Sequence, residues 1–163
     1  MQAEQGSKRR ACIVVTETSP LEKLWRALLD DLADAQADVV AVFVSDDRWT
    51  RAASLPFTKE ISRLSGSSEI FTARRAEQVV GDMVERVQQQ IRQLAADRQM
   101  RLVFETLHEQ EPSRIQEFVR IEHDVLIVPS VLRHWPDFAD LARPERRVVF
   151  VDDEEPACST GPP

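Results

Sequence analysis

A chain of 163 residues, 42% hydrophobic and 30% charged, fits one domain and is long enough to bury a real core. A formal charge of −7 excludes the protein-wide basic face that non-specific nucleic-acid binding needs. No apolar run is long enough to span a bilayer, and MQAEQGSKRR carries no apolar stretch after its basic residues, so no membrane partner is expected and the cytoplasm is the expected compartment. Residues 1–9 and 153–163 are polar or turn-rich and read as tails around one folded unit, 10–152.

Five short apolar runs read as strands: 11–15, 39–44, 101–106, 125–128 and 147–151. Four are rich in Val or Ile without strict polar alternation, which suits strands covered on both faces of a parallel sheet; 101–106 is more mixed. The first predicted helix opens at Ser19-Pro20, with Ser19 as cap, Pro20 at the first helical position and Glu22 closing a capping box. Leu21, Leu24, Trp25, Leu28, Leu29 and Leu32 form its apolar stripe. The longest helical pattern spans 72–98, with Ala76, Val79, Val80, Met83, Val84, Val87, Ile91 and Leu94 as its stripe. Gly81 inside it costs about 1 kcal/mol against alanine, so a close packing contact is expected there. A third helix follows Pro112, with Ile115, Phe118 and Val119 inward; a fourth, of two turns at most, spans 136–142 before Pro144. Strands alternating with helices imply right-handed crossovers, a doubly wound α/β sheet, and a ligand site beyond the carboxyl ends of the strands.

The stretches at those ends carry the side chains able to do chemistry. Thr16, Glu17, Thr18 and Ser19 stand before a helix N-terminus, where backbone N–H groups can hold an anion. Asp46 and Asp47 have no glycine or third ligand beside them and read as a polar loop start. The phosphoacceptor receiver pattern fails, because no aspartate follows the third strand (ETLHEQ) and no lysine the fifth (VDDEE). His108, His123 and His134 make no metal-binding spacing. Cys12 reads as a small core residue and Cys158 as part of the tail; neither belongs to a CxxC pair. No residues supply a nucleophile, a base and an oxyanion site together, so no enzyme is expected. The four glycines, Gly6, Gly66, Gly81 and Gly161, include none that follows a strand and opens a helix, so both the P-loop and the dinucleotide fingerprint are absent.

Segment 46–75 is too long for a structureless loop in a compact domain. A short helix is predicted near 58–64, capped by Thr58, with Ile61 and Leu64 on one side. Trp49, Leu55, Phe57, Ile70 and Phe71 are expected to fold over the sheet rim as a flap. Arg48, Arg51, Lys59, Arg63, Arg74 and Arg75 make the segment locally basic, as a lid over an anion, a docking surface, or a solvated face.

The stretches IVVTETSP, HDVLIVPS and RRVVFVDD, in this order and spacing, resemble the universal stress protein family over about 10–152. The resemblance implies a three-layer α/β/α domain with a five-stranded parallel sheet of order 3-2-1-4-5, as in adenine nucleotide alpha hydrolase-like folds. Many family members bind ATP or AMP through G-x-x-G-(nine)-G-[ST] after the fourth strand. Here Pro129 stands at the first glycine, Leu132 at the second, and the third falls near Ala142; Glu17 stands where the family has aspartate. A glycine-free loop leaves ATP or AMP without its usual cradle, so no cofactor is expected, and Val131, Leu132 and Trp135 are expected to pack where phosphates would lie. The implied alternatives are a non-catalytic stress-response or regulatory domain working by dimerisation and an unknown protein partner, and an adenine-nucleotide or anion-binding module with a rebuilt phosphate site. The residues to watch for a ligand are Thr16, Glu17, Ser19, Pro129, Ser130, Arg48, Arg51 and Arg63. For a homodimer through the last strand they are Arg147, Val148, Val149, Phe150 and Val151.

Overall fold

A computed structural model describes residues 9–33, 36–45, 48–108, 125–134 and 147–152. Five parallel strands make the main sheet: β1 (Arg9–Val15), β2 (Ala37–Ser45), β5 (Arg101–His108), β6 (Val125–Pro129) and β7 (Arg147–Val151). They lie side by side as β5-β2-β1-β6-β7, which is the predicted 3-2-1-4-5 order. Among the described residues two helices flank the sheet, α1 (Leu21–Leu32) and α3 (Ala73–Asp97). Between β2 and α3 come a short helix, α2 (Arg48–Ser54), and an antiparallel ribbon of β3 (Lys59–Ile61) and β4 (Ser68–Ile70).

The steps β1→β2 and β2→β5 run the same way across the sheet, so right-handed crossovers place α1 and α3 on one face. There Leu24, Leu28 and Leu32 of α1 and Val87, Ile91 and Ala95 of α3 close over Ile13, Val39, Ala41, Phe43 and Ile127. The alternate residues Cys12, Val14, Val42, Val44, Leu126 and Val128 form the apolar layer of the opposite face, with Leu132 against them. Both faces are buried, which is the physical reason these strands read as unbroken apolar runs. The predicted helices after Pro112 and over 136–142 lie outside the described residues.

Three local expectations are corrected. Ser19 does not cap α1: its Oγ accepts a hydrogen bond from the Thr16 N–H at 2.8 Å, closing the turn before the helix, and Pro20 takes the cap position with no side-chain bond. Gly81 marks no close contact. It is exposed, and a Cβ added there would meet nothing within 4 Å. Gly81→Ala should therefore raise stability by about 0.5–1 kcal/mol, since only the backbone entropy changes; chemical denaturation checks this.

The third correction concerns 58–64, which forms β3 and the start of its turn rather than a helix. Ser62 N–H donates to the Ser67 carbonyl, Gly66 N–H to the Ser62 carbonyl, and Gly66 takes φ 69°. The glycine makes this reversal accessible, and once the chain doubles back β4 offers the backbone partners a lone helical turn would lack. Thr72 begins α3 as the sequence implies: it is extended, and its Oγ1 accepts from the Arg75 N–H at 3.2 Å.

β7 ends the sheet on one side. Arg147, at its start, forms an ion pair with Asp31 of α1, whose side chain is 5% exposed. Arg133 lies over the Phe150 ring at 4.6 Å.

Candidate functional site

The rim beyond β1, β2 and β6 is where chemistry-bearing residues meet. A cavity of about 180 Å³ opens there, between the turn after β1, the end of β2, α2, one side of α3 and the turn after β6. Thr16, Glu17, Arg48 and Trp49 form its polar side; Phe43, Met83 and Leu132 are among its apolar walls.

Glu17 organises this rim. Its Oε2 accepts from Arg48 Nη2 at 2.5 Å and from Trp49 Nε1 at 3.0 Å. The carboxylate is only a quarter exposed, so these charge-assisted bonds do more than a surface pair would. The Arg48 guanidinium also lies 5.8 Å from the Trp49 ring centre. Trp49 in turn meets buried Phe71 at 6.0 Å between centroids, with planes tilted by 53°. α2 is thereby latched across the carboxyl end of β1, and the flap expected from segment 46–75 exists in its first half. The second half stands out instead: Leu55, Phe57, Ile61, Leu64 and Ile70 are all exposed.

The turn leading into α1 offers an anion little. The Thr16 N–H is consumed by Ser19, whose own N–H donates to the Thr16 carbonyl at 3.2 Å. The two hydroxyls share a hydrogen bond of 2.8 Å, and Pro20 has no N–H to give. After β6, Pro129 is buried in the strand end. Ser130 Oγ donates to Asp152 Oδ1 at 2.7 Å, tying the ends of β6 and β7 together. The 3-10 turn Ser130–His134 then points Leu132 into the sheet at 2% exposure and sets Val131 at the cavity wall.

Of the eight ligand candidates, then, Thr16, Glu17 and Arg48 line one cavity. Ser19 and Ser130 sit nearby with their hydroxyls engaged. Arg51 and Arg63 lie on α2 and in the ribbon's turn and do not line it. Trp49 is the partner that the sequence reading placed only in the flap, although its position beside Arg48 was a usable signal. Trp135, Asp46, Asp47 and His123 lie outside the described residues. Among the described residues no three His, Cys, Asp or Glu side chains gather to hold a metal ion. A wider, open groove of about 550 Å³ is lined by Ser19, Pro20, Glu22 and Lys23 at the start of α1, beside the turn that follows β1, and by Gln90, Gln93 and Leu94 of α3.

In the ribbon, Arg75 Nε and Nη2 each reach a Glu60 oxygen at 2.8 Å. This bidentate hydrogen bonding holds the Glu60 carboxyl below the usual carboxylate range and raises the Arg75 guanidinium. It ties the polar side of the ribbon to the first turn of α3.

No family profile matches the chain. No curated protein matches it. Among solved structures, the chain is similar to the crystal structure of a universal stress protein in complex with cAMP, at 10% identity and a TM-score of 0.49, over 90% of this chain and 98% of that one.

Proposed function

We propose that this chain is a non-catalytic, universal-stress-protein-like binding domain that works through self-association and partner binding and holds no ATP tightly. The observation that carries the reading is the Glu17 latch. The carboxylate at the end of β1 is spent on Arg48 and Trp49, and the chain after β6 has Pro129 and Leu132 where the resemblance calls for glycines. Two further features support it. The rim cavity, about 180 Å³, is smaller than the roughly 300–1,000 Å³ typical of small-molecule sites. In the turn before α1 the Thr16 N–H is already bonded to the Ser19 hydroxyl. The end strand β7 offers one seam for a dimer, since an edge strand needs a partner or protection. No helix of the described residues is long and apolar enough to cross a membrane.

Titration calorimetry with ATP or AMP at millimolar concentration should give no heat of binding. A micromolar dissociation constant for either would overturn the reading. The alternative, an adenine-nucleotide or other anion-binding module with a rebuilt phosphate site, draws on one observation: Arg48 lines the cavity. It requires Arg48 to leave Glu17 for the ligand. Binding that Arg48→Ala abolishes would select it.

A further inference from the structure

The rim cavity has a firmly held side and a loosely held one. The firm side is made by the end of β2, with Phe43 and Val44, by Val80 and Met83 of α3, and by Leu132, which is buried against the strands. Glu17 belongs to it. The turn that carries Glu17 is closed by two bonds, from the Thr16 N–H to the Ser19 hydroxyl at 2.8 Å and from the Ser19 N–H to the Thr16 carbonyl at 3.2 Å. The loose side is α2, which contributes Arg48 and Trp49. It has seven residues, and none of them is buried. A helix so short is not stable by its own hydrogen bonds, so its place is set by what it touches. Those contacts include the two bonds from Arg48 and Trp49 to Glu17, the Trp49–Phe71 ring pair and the side of α3.

Charge divides in the same way. Among the described residues that line the cavity, Glu17 is the anion and Arg48 the cation. The anion sits on the closed turn, and the cation is carried by α2. With α2 moved aside, the wall that stays presents a carboxylate, hydroxyls and apolar surface, a field that attracts cations. In the closed state α2 itself supplies what such a wall binds. One oxygen of Glu17 accepts a guanidinium N–H at 2.5 Å and an indole N–H at 3.0 Å, and the guanidinium carbon lies 5.8 Å from the indole ring centre. A flat cation, an apolar ring and two N–H donors are thus already seated at the carboxylate.

We infer that the rim cavity is a gated site for a flat organic cation that joins an apolar ring to N–H donors, with α2 as its lid and Glu17 as both catch and anchor. Arg48 and Trp49 act as an internal substitute for the ligand, which enters by taking Glu17 from them. An aryl amidine has the required shape: its amidinium gives the carboxylate two parallel N–H bonds, in the fork geometry a guanidinium uses, and its ring meets the apolar wall of Met83 and Leu132. The room is sufficient, since the cavity holds about 180 Å³ before any lid movement and an apolar cavity of about 150 Å³ accepts benzene. Such a site goes beyond the proposed function and shares with it only the latch. It is also opposite in sign to the anion-binding alternative, which keeps Arg48 for the ligand; here Arg48 stands in the ligand's way.

The test is titration of the full chain with benzamidine, by calorimetry and by hydrogen–deuterium exchange. The wild type should bind weakly, because the ligand must displace α2. Arg48→Ala/Trp49→Ala removes the substitute and keeps the anchor, and should tighten binding by about 10- to 100-fold, the worth of one or two hydrogen bonds to a charged group. Arg48→Ala alone, at a half-exposed side chain, should give a smaller gain of the same kind. Adding Glu17→Gln to the double variant should remove the gain. Saturating benzamidine should speed amide exchange in α2 of the wild type and leave β1 and β2 unchanged, as opening of the lid requires. Variants that bind no tighter than the wild type, a gain that survives Glu17→Gln, or exchange in α2 that does not respond would each overturn the gated site. AMP binding to the double variant in place of benzamidine would give the opened cavity to anions and overturn it as well. None of these results bears on wild-type ATP binding, which tests the proposed function separately.

Discussion

Leu28→Ala should lower the free energy of unfolding by about 3–5 kcal/mol, while Leu64→Ala should change it by less than about 0.5 kcal/mol. The chemistry of the two substitutions is identical; only the surroundings differ. Leu28 is fully buried in α1, among the side chains that cover Ile13 and Ile127. Its removal forfeits both the transfer of the side chain from water and the contacts of its neighbours, in an interior too close-packed to collapse around the gap. Leu64 is fully exposed at the ribbon's turn and loses nothing on truncation in the monomer. Urea denaturation at low protein concentration measures both. If Leu64→Ala proved as costly as Leu28→Ala, the ribbon would be packed on its own chain rather than exposed at its turn.

Arg147→Ala should cost about 2–3 kcal/mol, and adding Asp31→Asn should recover much of that loss. The Asp31 carboxylate is nearly withdrawn from water, and the Arg147 guanidinium, paired with its Oδ1, compensates its charge. Removing the cation leaves a buried anion unpaired, which is more expensive than the pair itself is favourable. Neutralising Asp31 removes the cause, so a double-mutant cycle should show a coupling well above that of an exposed surface pair. A negligible coupling would show that Asp31 finds water, and that α1 and the edge strand are not tied by charge.

Much of the fold was legible because burial writes itself into residue type. β1, β2 and β6 carry unbroken Val, Ile and Leu runs, and the sheet covers both of their faces. The stripes of α1 and α3 were readable for the same reason: Leu24, Leu28 and Leu32 recur at helical spacing, as do Val87, Ile91 and Ala95, and both sets close on one face. The parallel, doubly wound sheet followed from the alternation of elements together with handedness, a constraint set by backbone chirality rather than by any particular side chain, whereas the order of its strands was implied only by the family resemblance.

The candidate site was legible only in pieces. Glu17 and Arg48 could each be singled out, but 31 residues separate them, and nothing local says that one holds the other. The Ser19 cap failed because two nearby donors compete for one hydroxyl, and the Thr16 N–H lies within its reach. The helix expected over 58–64 failed because a short segment has weak intrinsic preferences, and strand β4, brought alongside by the Gly66 turn, outweighs them.

By itself, then, the sequence determined what lies inside: the apolar runs, their periods, and the absence of a glycine-rich phosphate loop, since each depends on residue type within a few neighbours. Tertiary structure alone decided how the rim is closed and what is left outside. The Glu17–Arg48–Trp49 latch joins segments distant along the chain, and the outward face of β3–β4 is defined by which side Arg75 holds inward. Both depend on contacts between elements, where the energy of a side chain is set by its neighbours in space.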